Sequence, residues 1–285
     1  MSDVEETLGT GLVTPGEKIA DNQLWMRGHG TYLKDDTIYS SVAGSIERVD
    51  KLLMVKPLRG RYIPVIGDHV IGRITEVRNR RWKVDIGASQ DAVLMLGAVN
   101  LPGGALRRKS EDDELQLREF FKEGDLMNAE VQSIYHDGSA ALQTRSTRYG
   151  KLRDGVFVRI PPSLVLRVRT QIYSLDGNVE MIVGVNGYVW VRKAAPPPAK
   201  ISVTKLEEVS QRSIYSDENH HISVSIRQTI SRYCNCLSAL VAHEVGINET
   251  RVRNAYEASL RYAEAGDLLN THVQEKLAKA SLMVA

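Results

Sequence analysis

The sequence predicts a multidomain, mainly β protein with an α+β portion: a β-rich N-terminal domain at residues 1–63, a small closed five-stranded barrel at 64–148, and an α+β domain with C-terminal helices at 149–285. Three observations carry this prediction. Two runs, Gly67-Asp68-His69-Val70-Ile71-Gly72-Arg73-Ile74-Thr75-Glu76-Val77 and Gly124-Asp125-Leu126-Met127-Asn128-Ala129-Glu130-Val131-Gln132-Ser133-Ile134, share a Gly-Asp start and then alternate apolar with polar residues, the period of a half-buried strand. Shorter alternating runs surround them, separated by turn residues. Beyond residue 220 the apolar period changes to three and four, that of a helix.

The N-terminal segment, Val13 to about Ile63, contains the strand-like runs Thr31-Tyr32-Leu33, Thr37-Ile38-Tyr39-Ser40, Ser45-Ile46-Glu47-Arg48-Val49 and Leu52-Leu53-Met54-Val55-Lys56. Lys34-Asp35-Asp36, Ala43-Gly44 and Asp50-Lys51 read as the turns between them. Ahead of these lies Trp25-Met26-Arg27-Gly28-His29-Gly30-Thr31-Tyr32. A glycine on each side of His29 permits backbone conformations and close approaches closed to other residues, so this loop is expected to fit against something. His29 has no Cys, Asp or Glu at ligand spacing, which argues against a metal.

The barrel follows in order. Arg81-Trp82-Lys83-Val84-Asp85-Ile86 is its second strand, Asp91-Ala92-Val93-Leu94-Met95-Leu96 its third, and Ser139-Ala140-Ala141-Leu142-Gln143-Thr144-Arg145 its last, after an Asp137-Gly138 turn. Gly72 and Ala129 fill the same small-residue slot, where a coiled strand lets another backbone come close. Five short strands with the longest insertion between the third and fourth fit an OB-fold, the oligonucleotide/oligosaccharide-binding barrel. The insertion carries Arg107-Arg108-Lys109, then Ser110 as a helix cap before Glu111-Asp112-Asp113-Glu114, acids of the right sign for a first helical turn. Leu117, Phe120 and Phe121 form its core-facing stripe, and Gly124 ends it. A metal-dependent nuclease reading of the acids fails on geometry, because four consecutive residues spray around a turn and cannot converge on one ion.

Behind the barrel, Gly155-Val156-Phe157-Val158-Arg159-Ile160 reads as a strand. Asn178-Val179-Glu180-Met181-Ile182-Val183, Gly184-Val185-Asn186-Gly187 and Tyr188-Val189-Trp190-Val191 then read as strand, tight turn and strand. Ala194-Ala195-Pro196-Pro197-Pro198-Ala199 is a stiff, extended linker. Ile222, Ile226, Ile230, Tyr233, Leu237 and Val241 mark a helix ending before Gly246, with further helices from about Thr250 to Ala265 and from Asp267 to Ala280.

Composition bounds the function. Of 285 residues, 42% are hydrophobic and 25% charged, a globular mixture, and no apolar run approaches the ~18 residues of a membrane helix. The acidic start Met1-Ser2-Asp3-Val4-Glu5-Glu6 is unlike a signal peptide, so a soluble intracellular protein is expected. Cys234 and Cys236, one residue apart on a helix, point to different faces and are read as reduced packing residues. No nucleophile–base pair, clustered metal carboxylates or phosphate-binding glycine loop can be assembled, so no catalytic residue, cofactor or metal is assigned.

The net charge of +2 hides a local bias. From Lys56 to Lys83 eight basic residues face two acidic ones, and from Arg145 to Arg169 seven face one, so both borders of the barrel carry an excess of six. Such a cluster suits a phosphate-backbone track, since each cation meeting a phosphate releases counterions; contacts to acidic protein partners are the alternative. Strands two and three of such barrels ordinarily present aromatics for base stacking. Here they offer only Trp82, as platform or as core, which leaves electrostatic guidance without sequence selectivity.

Several stretches in one order carry a resemblance: Arg27 to Tyr32, Ser41 to Val49, Gly72 to Val77 with Arg81 to Val84, Asn100-Leu101-Pro102-Gly103-Gly104, Arg145-Ser146 with Tyr149 to Leu152, and Gly184 to Gly187. The barrel resembles the RNA-binding module first described in ribosomal protein S-one, and the whole chain resembles the cap subunits of the eukaryotic RNA exosome. These carry an S-one barrel followed by a KH domain, which makes residues 149–285 KH-like. The resemblance implies a non-catalytic subunit that sits on a ring of RNase PH-like proteins with other cap subunits and an associated exoribonuclease. Single-stranded RNA would be guided to the pore for 3′-to-5′ processing and degradation, ribosomal RNA included, in the nucleus and nucleolus and also the cytoplasm. Under it, Arg27, Gly28, His29, Gly30 and Tyr32 become partner contacts. Arg78, Arg80, Arg81, Lys83, Arg107, Arg108, Lys109, Arg145, Arg148 and Lys151 become RNA contacts. Gly184, Val185, Asn186 and Gly187 stand where a KH domain would clamp RNA, but an ordinary Gly-x-x-Gly loop lies between helices and this one lies between strands, so a turn or packing role is the alternative. A free-standing RNA-binding protein of translation or transcription is the second functional reading.

Overall fold

The computed structural model describes residues 11–21, 25–99, 114–145, 149–168, 170–194 and 215–282, which form two compact units divided between Gly60 and Arg61. Ser110, the acids Glu111, Asp112 and Asp113, and the Pro196–Pro198 linker lie outside the described residues.

The N-terminal unit holds β1 (Leu12–Val13), β2 (Lys18–Asp21), β3 (Met26–Arg27), β4 (Thr31–Lys34), β5 (Thr37–Ser40), β6 (Gly44–Val49) and β7 (Leu52–Pro57). They form two sheets, in the orders β1-β6-β7-β3 and β2-β5-β4. Alternation in β5 and β7 puts Ile38, Leu53 and Val55 into a small core with Val13 and Ile19. Asp35 and Asp36 both take positive φ (46° and 58°), the geometry a two-residue hairpin turn requires.

The second unit begins with the barrel: β8 (His69–Arg78), β9 (Arg81–Asp85), β10 (Ala92–Val99), the short helix α1 (Leu117–Phe120), β11 (Leu126–Ile134) and β12 (Ala140–Thr144). The order β12-β10-β9-β8-β11 closes on itself through β11–β12 pairing, so no edge is left in the five-stranded ring. Val70, Ile74, Trp82, Val84, Leu94, Met127, Val131 and Leu142 fill it. α1 is shorter than expected: Phe121 is already extended, yet it remains fully buried beside Leu117 and Phe120. The close approach at Gly72 is also of another kind than expected. A Cβ there would lie 2.3 Å from Val84 Cγ1 and 3.2 Å from Ile86 Cγ2, so side chains of the next strand, more than backbone, exclude anything larger.

The chain does not divide at residue 148. β13 (Gly150–Lys151) pairs with β11 and extends the barrel sheet before β14 (Gly155–Arg159) starts the next one. With β15 (Ile172–Leu175), β16 (Val179–Val183) and β17 (Tyr188–Lys193) it forms an antiparallel sheet in the order β14-β17-β16-β15. α2 (Val224–Ala242), α3 (Glu249–Ser259) and α4 (Thr271–Leu282) share a core with this sheet. Ile230, Tyr233, Cys236, Leu237, Ala239 and Leu240 form the buried stripe of α2; Ile222 precedes the helix and Val241 is only half-buried. The side chain of Asn248 caps α3 by accepting from the Arg251 amide at 2.9 Å. At and beyond its end at Ser259, the Arg232 guanidinium donates to the Ser259, Tyr262 and Ala263 carbonyls at 2.7–3.0 Å. Cys234 and Cys236 are unbridged, and burial pushes their thiols up to about 11 and about 12.

A segment ahead of α2 fastens the barrel to this domain. Tyr215 enters the barrel core edge-on to Phe120 and Phe121, at centroid distances of 5.7 and 5.2 Å. Asp217 bridges Lys122 and Lys151, and the His220 amide donates to Asp154 at 2.7 Å. No helix among the described residues is long and apolar enough to cross a membrane.

Candidate nucleic-acid interface

The β8–β9 hairpin concentrates cations for a local reason. Its two-residue turn, Asn79-Arg80, needs a left-handed residue, and Arg80 supplies it (φ 60°). Arg78 and Arg81 are then direct cross-strand neighbours, a like-charge pair that destabilises the hairpin tip unless an anion lies near. Glu76 answers part of this charge. It pairs with Arg78 and with Lys83 at 3.1 Å, and these hydrogen bonds, Arg78 first, hold its carboxyl below the usual range. Arg80 pairs with Glu114 at 2.7 Å. Arg81 meets no carboxylate among the described residues, and its cross-strand neighbour Met95 is exposed. Val77, Arg78, Asn79, Arg80, Arg81 and Met95 line an open groove of about 580 Å³.

The other expected cations separate. Arg145 is exposed at the end of β12; Arg107, Arg108, Lys109 and Arg148 lie outside the described residues. Lys151 corrects its expectation: with 7% of its side chain exposed, it is enclosed between Asp125, at 2.6 Å, and Asp217, and serves as an internal ion pair. Trp82 is core. It is fully buried, edge-on to Phe121 at 5.7 Å, and donates its indole N–H to the Phe121 carbonyl at 3.1 Å.

Gly184 to Gly187 is the β16–β17 turn, and it clasps the barrel. The Val185 amide donates to the His69 carbonyl at 2.9 Å. Asn186, 2% exposed, accepts from the Ile71 amide (3.3 Å) and donates to the Ile71 and Ile86 carbonyls (2.7 and 2.8 Å). A Cβ on Gly184 would fall 2.2 Å from Asn186 Oδ1, and Gly187 has φ 82° with the Ile160 carbonyl 2.2 Å from where a Cβ would be, so both glycines are obligatory. The motif's backbone is therefore engaged in domain packing.

In the N-terminal unit the Arg27 to Tyr32 loop wraps β7. Gly28 donates to the Leu53 carbonyl at 2.8 Å and His29 accepts from the Val55 amide at 2.9 Å; Gly30 has φ 74° and the Val55 carbonyl 2.3 Å from a Cβ position. What the loop fits against is thus first its own sheet. Arg27 and His29 remain exposed, and Tyr32 stacks on Tyr39 at 5.6 Å.

Comparison with known proteins follows the same divisions. Three family models match: "Exosome complex exonuclease RRP4 N-terminal region" at residues 12–49, "RRP4, S1 domain" at 61–133 and "KH domain" at 155–197. Exosome complex component RRP4 of Saccharomyces cerevisiae is 53% identical over 93% of this chain and 81% of its own length. The chain belongs to the RRP4 family. The Mus musculus relative is 43% identical, over 93% of this chain and 87% of its own, and the Pyrococcus furiosus one 30% identical, over 71% and 77%.

Four residues of this RRP4-family chain escaped the sequence reading as site candidates. Arg73 on β8 lies over the Phe157 ring at 5.8 Å, Arg159 over the Tyr188 ring at 5.8 Å, and the two rings meet edge-on at 5.2 Å. The basic runs contain both arginines, but nothing in the sequence brings β8 to the β14–β17 face.

A polar pocket of about 340 Å³ lies at the same junction, lined by Asp68, His69, Glu130, Tyr149, Arg167 and Gln171 among others. Arg167 spans both Asp68 oxygens at 3.0 and 3.3 Å. His69 is 9% exposed and stacked on Tyr149 at 5.4 Å, and neither ring nitrogen meets the criteria for a hydrogen bond to any described residue. Burial pushes its imidazole down to about 4. Between about pH 6.5 and 4 the unfolded chain therefore binds a proton that the folded one does not, so stability falls as pH falls through this window. The total loss is on the order of 3 kcal/mol. Urea titrations of wild type and His69→Phe should show that slope in the wild type alone; equal slopes would assign the acid sensitivity to other groups.

Proposed function

We propose that this chain is a non-catalytic RNA-binding cap subunit of the RNA exosome. It stabilises a ring of RNase PH-like subunits and guides single-stranded RNA into the pore for 3′-to-5′ processing and degradation by an associated exoribonuclease. The relatives named exosome complex component RRP4 support the assembly part of this reading. The observation that carries the RNA part is the hairpin groove of Arg78, Arg80 and Arg81 on a barrel whose Trp82 is buried: cations without a stacking platform attract the phosphate backbone and leave bases unread. Exposed Arg27, His29 and Tyr32 are the proposed contacts of the N-terminal unit to its partners. Such a subunit would work in the nucleus and nucleolus and in the cytoplasm.

Purification of the tagged chain from native extract should return RNase PH-like proteins in stable stoichiometry, and a lone chain would sink the cap assignment. The isolated chain with Mg²⁺ or Mn²⁺ should leave RNA intact. Replacing Arg78, Arg80 and Arg81 by glutamine should weaken binding equally for unrelated single strands. The salt slope should fall by about 0.7 if Arg81, which meets no carboxylate among the described residues, alone meets phosphate, and by about 2 if the pairs with Glu76 and Glu114 open for RNA. An unchanged slope would reassign these arginines to protein contacts.

A further inference from the structure

We infer that single-stranded RNA has a second seat on this chain, at the junction of the barrel with the β14–β17 sheet, where Arg73 and Arg159 hold phosphates and Phe157 supports a base or ribose. Among the described residues neither arginine pairs with a carboxylate, as Arg81 does not, whereas Arg78 and Arg80 at the hairpin do. Asp85 is the cross-strand neighbour of Arg73, and its two oxygens already accept from the Gly87 amide at 2.8 Å and the Tyr188 hydroxyl at 3.5 Å. Two guanidinium charges against one engaged carboxylate leave the face electropositive.

Each guanidinium carbon lies 5.8 Å from an aromatic ring centroid, within cation–π range, and both arginine residues are exposed. An exposed guanidinium can meet a phosphate with two hydrogen bonds. Apolar surface lies beside it: Phe157, on the same face as Arg159 by strand alternation, is half-buried on a strand at the sheet's edge. The barrel's own strands lack an exposed aromatic, and the adjoining sheet supplies a half-buried one next to cations from both domains. A strand of RNA crossing here would touch barrel and sheet together, which requires the clasp around Asn186 to hold them in register.

This inference rests on the RNA-binding reading above, and one experiment separates the two. Binding of a single-stranded oligonucleotide to the full chain is measured across salt concentrations for wild type, the hairpin triple variant, Arg73→Gln/Arg159→Gln and Phe157→Leu, each checked for unaltered thermal unfolding. The arginine pair variant should reduce the salt slope by about 1.4, two single-strand phosphates, and Phe157→Leu should lower affinity about fivefold or more without changing the slope. If the pair variant binds like wild type while the hairpin variant does not, the second seat is refuted and the first reading stands; the converse result upholds the seat and removes the hairpin. If no variant differs, or wild type binds no RNA, both fall. Equal binding of polyglutamate, lost in the pair variant, would make the face a dock for acidic protein and overturn the inference.

Discussion

Asn186→Ala is expected to lower the stability of the Arg61–Ala285 unit by about 3–5 kcal/mol, because it leaves the Ile71 amide and the Ile71 and Ile86 carbonyls buried without partners at about 1–3 kcal/mol for each unsatisfied group. Small-molecule water cannot be relied on to replace a side chain that is 2% exposed. Asn186→Asp tests the assignment more sharply. It preserves the oxygen facing the Ile71 amide, removes both donations and buries a charge, so it should be at least as damaging as alanine. Gly184→Ala should act on the same clasp from the backbone side, since its Cβ would displace the Asn186 carboxamide. Chemical denaturation gives the free energies, and hydrogen exchange at the Ile71 amide reports the clasp directly. A loss below about 1 kcal/mol for Asn186→Ala, with Ile71 still protected, would show that the domains hold together without it.

Trp82→Ala should cost about 3–5 kcal/mol, the range for truncating a large buried aromatic, as it opens a cavity beside Phe121 and strands the Phe121 carbonyl. Trp82→Phe retains much of the ring packing and should cost less. Neither change should alter the RNA affinity of folded protein, because the indole has no exposed face for a base. If Trp82→Phe leaves the melting temperature unchanged yet weakens RNA binding, the residue is a platform and the core assignment is wrong.

Much of the fold was legible because strand alternation survives burial. The twin Gly-Asp runs became β8 and β11, which are antiparallel neighbours in the closed barrel, with Gly72 opposite Met127 and Ala129 opposite Val70. The paired aspartates at 35 and 36 marked a hairpin turn because few other residues tolerate left-handed backbone in succession. β1 to β3 were missed: β1 and β3, of two residues each, are too short for alternation to register, and β2 buries only Ile19. The helix beginning at Val224 was read with its register drifting toward Val241, since a period of three to four does not say which neighbouring position meets the sheet.

The candidate site was less legible. Local charge density picked out the hairpin arginines correctly as neighbours, because two strands and a two-residue turn are a local structure. The same criterion mistook Lys151 for a surface cation; its partner Asp217 lies 66 residues away, on a segment that returns to the barrel after the helical domain's sheet is complete. Arg73 and Arg159 stood in separate basic runs for the same reason, 86 positions apart until β8 and β14 come together.

The sequence by itself determined the strands, their turns, the barrel, the helical end and the family, because these depend on periods and spacings that the chain carries locally. Only the tertiary structure decided what covers each face. It turned Trp82 inward, spent the Gly184 to Gly187 turn on domain packing, enclosed Lys151 and set two arginines over two aromatic rings. Alternation says that one side of a strand is buried, and burial is completed by whatever distant segment arrives there; that arrival depends on the whole chain.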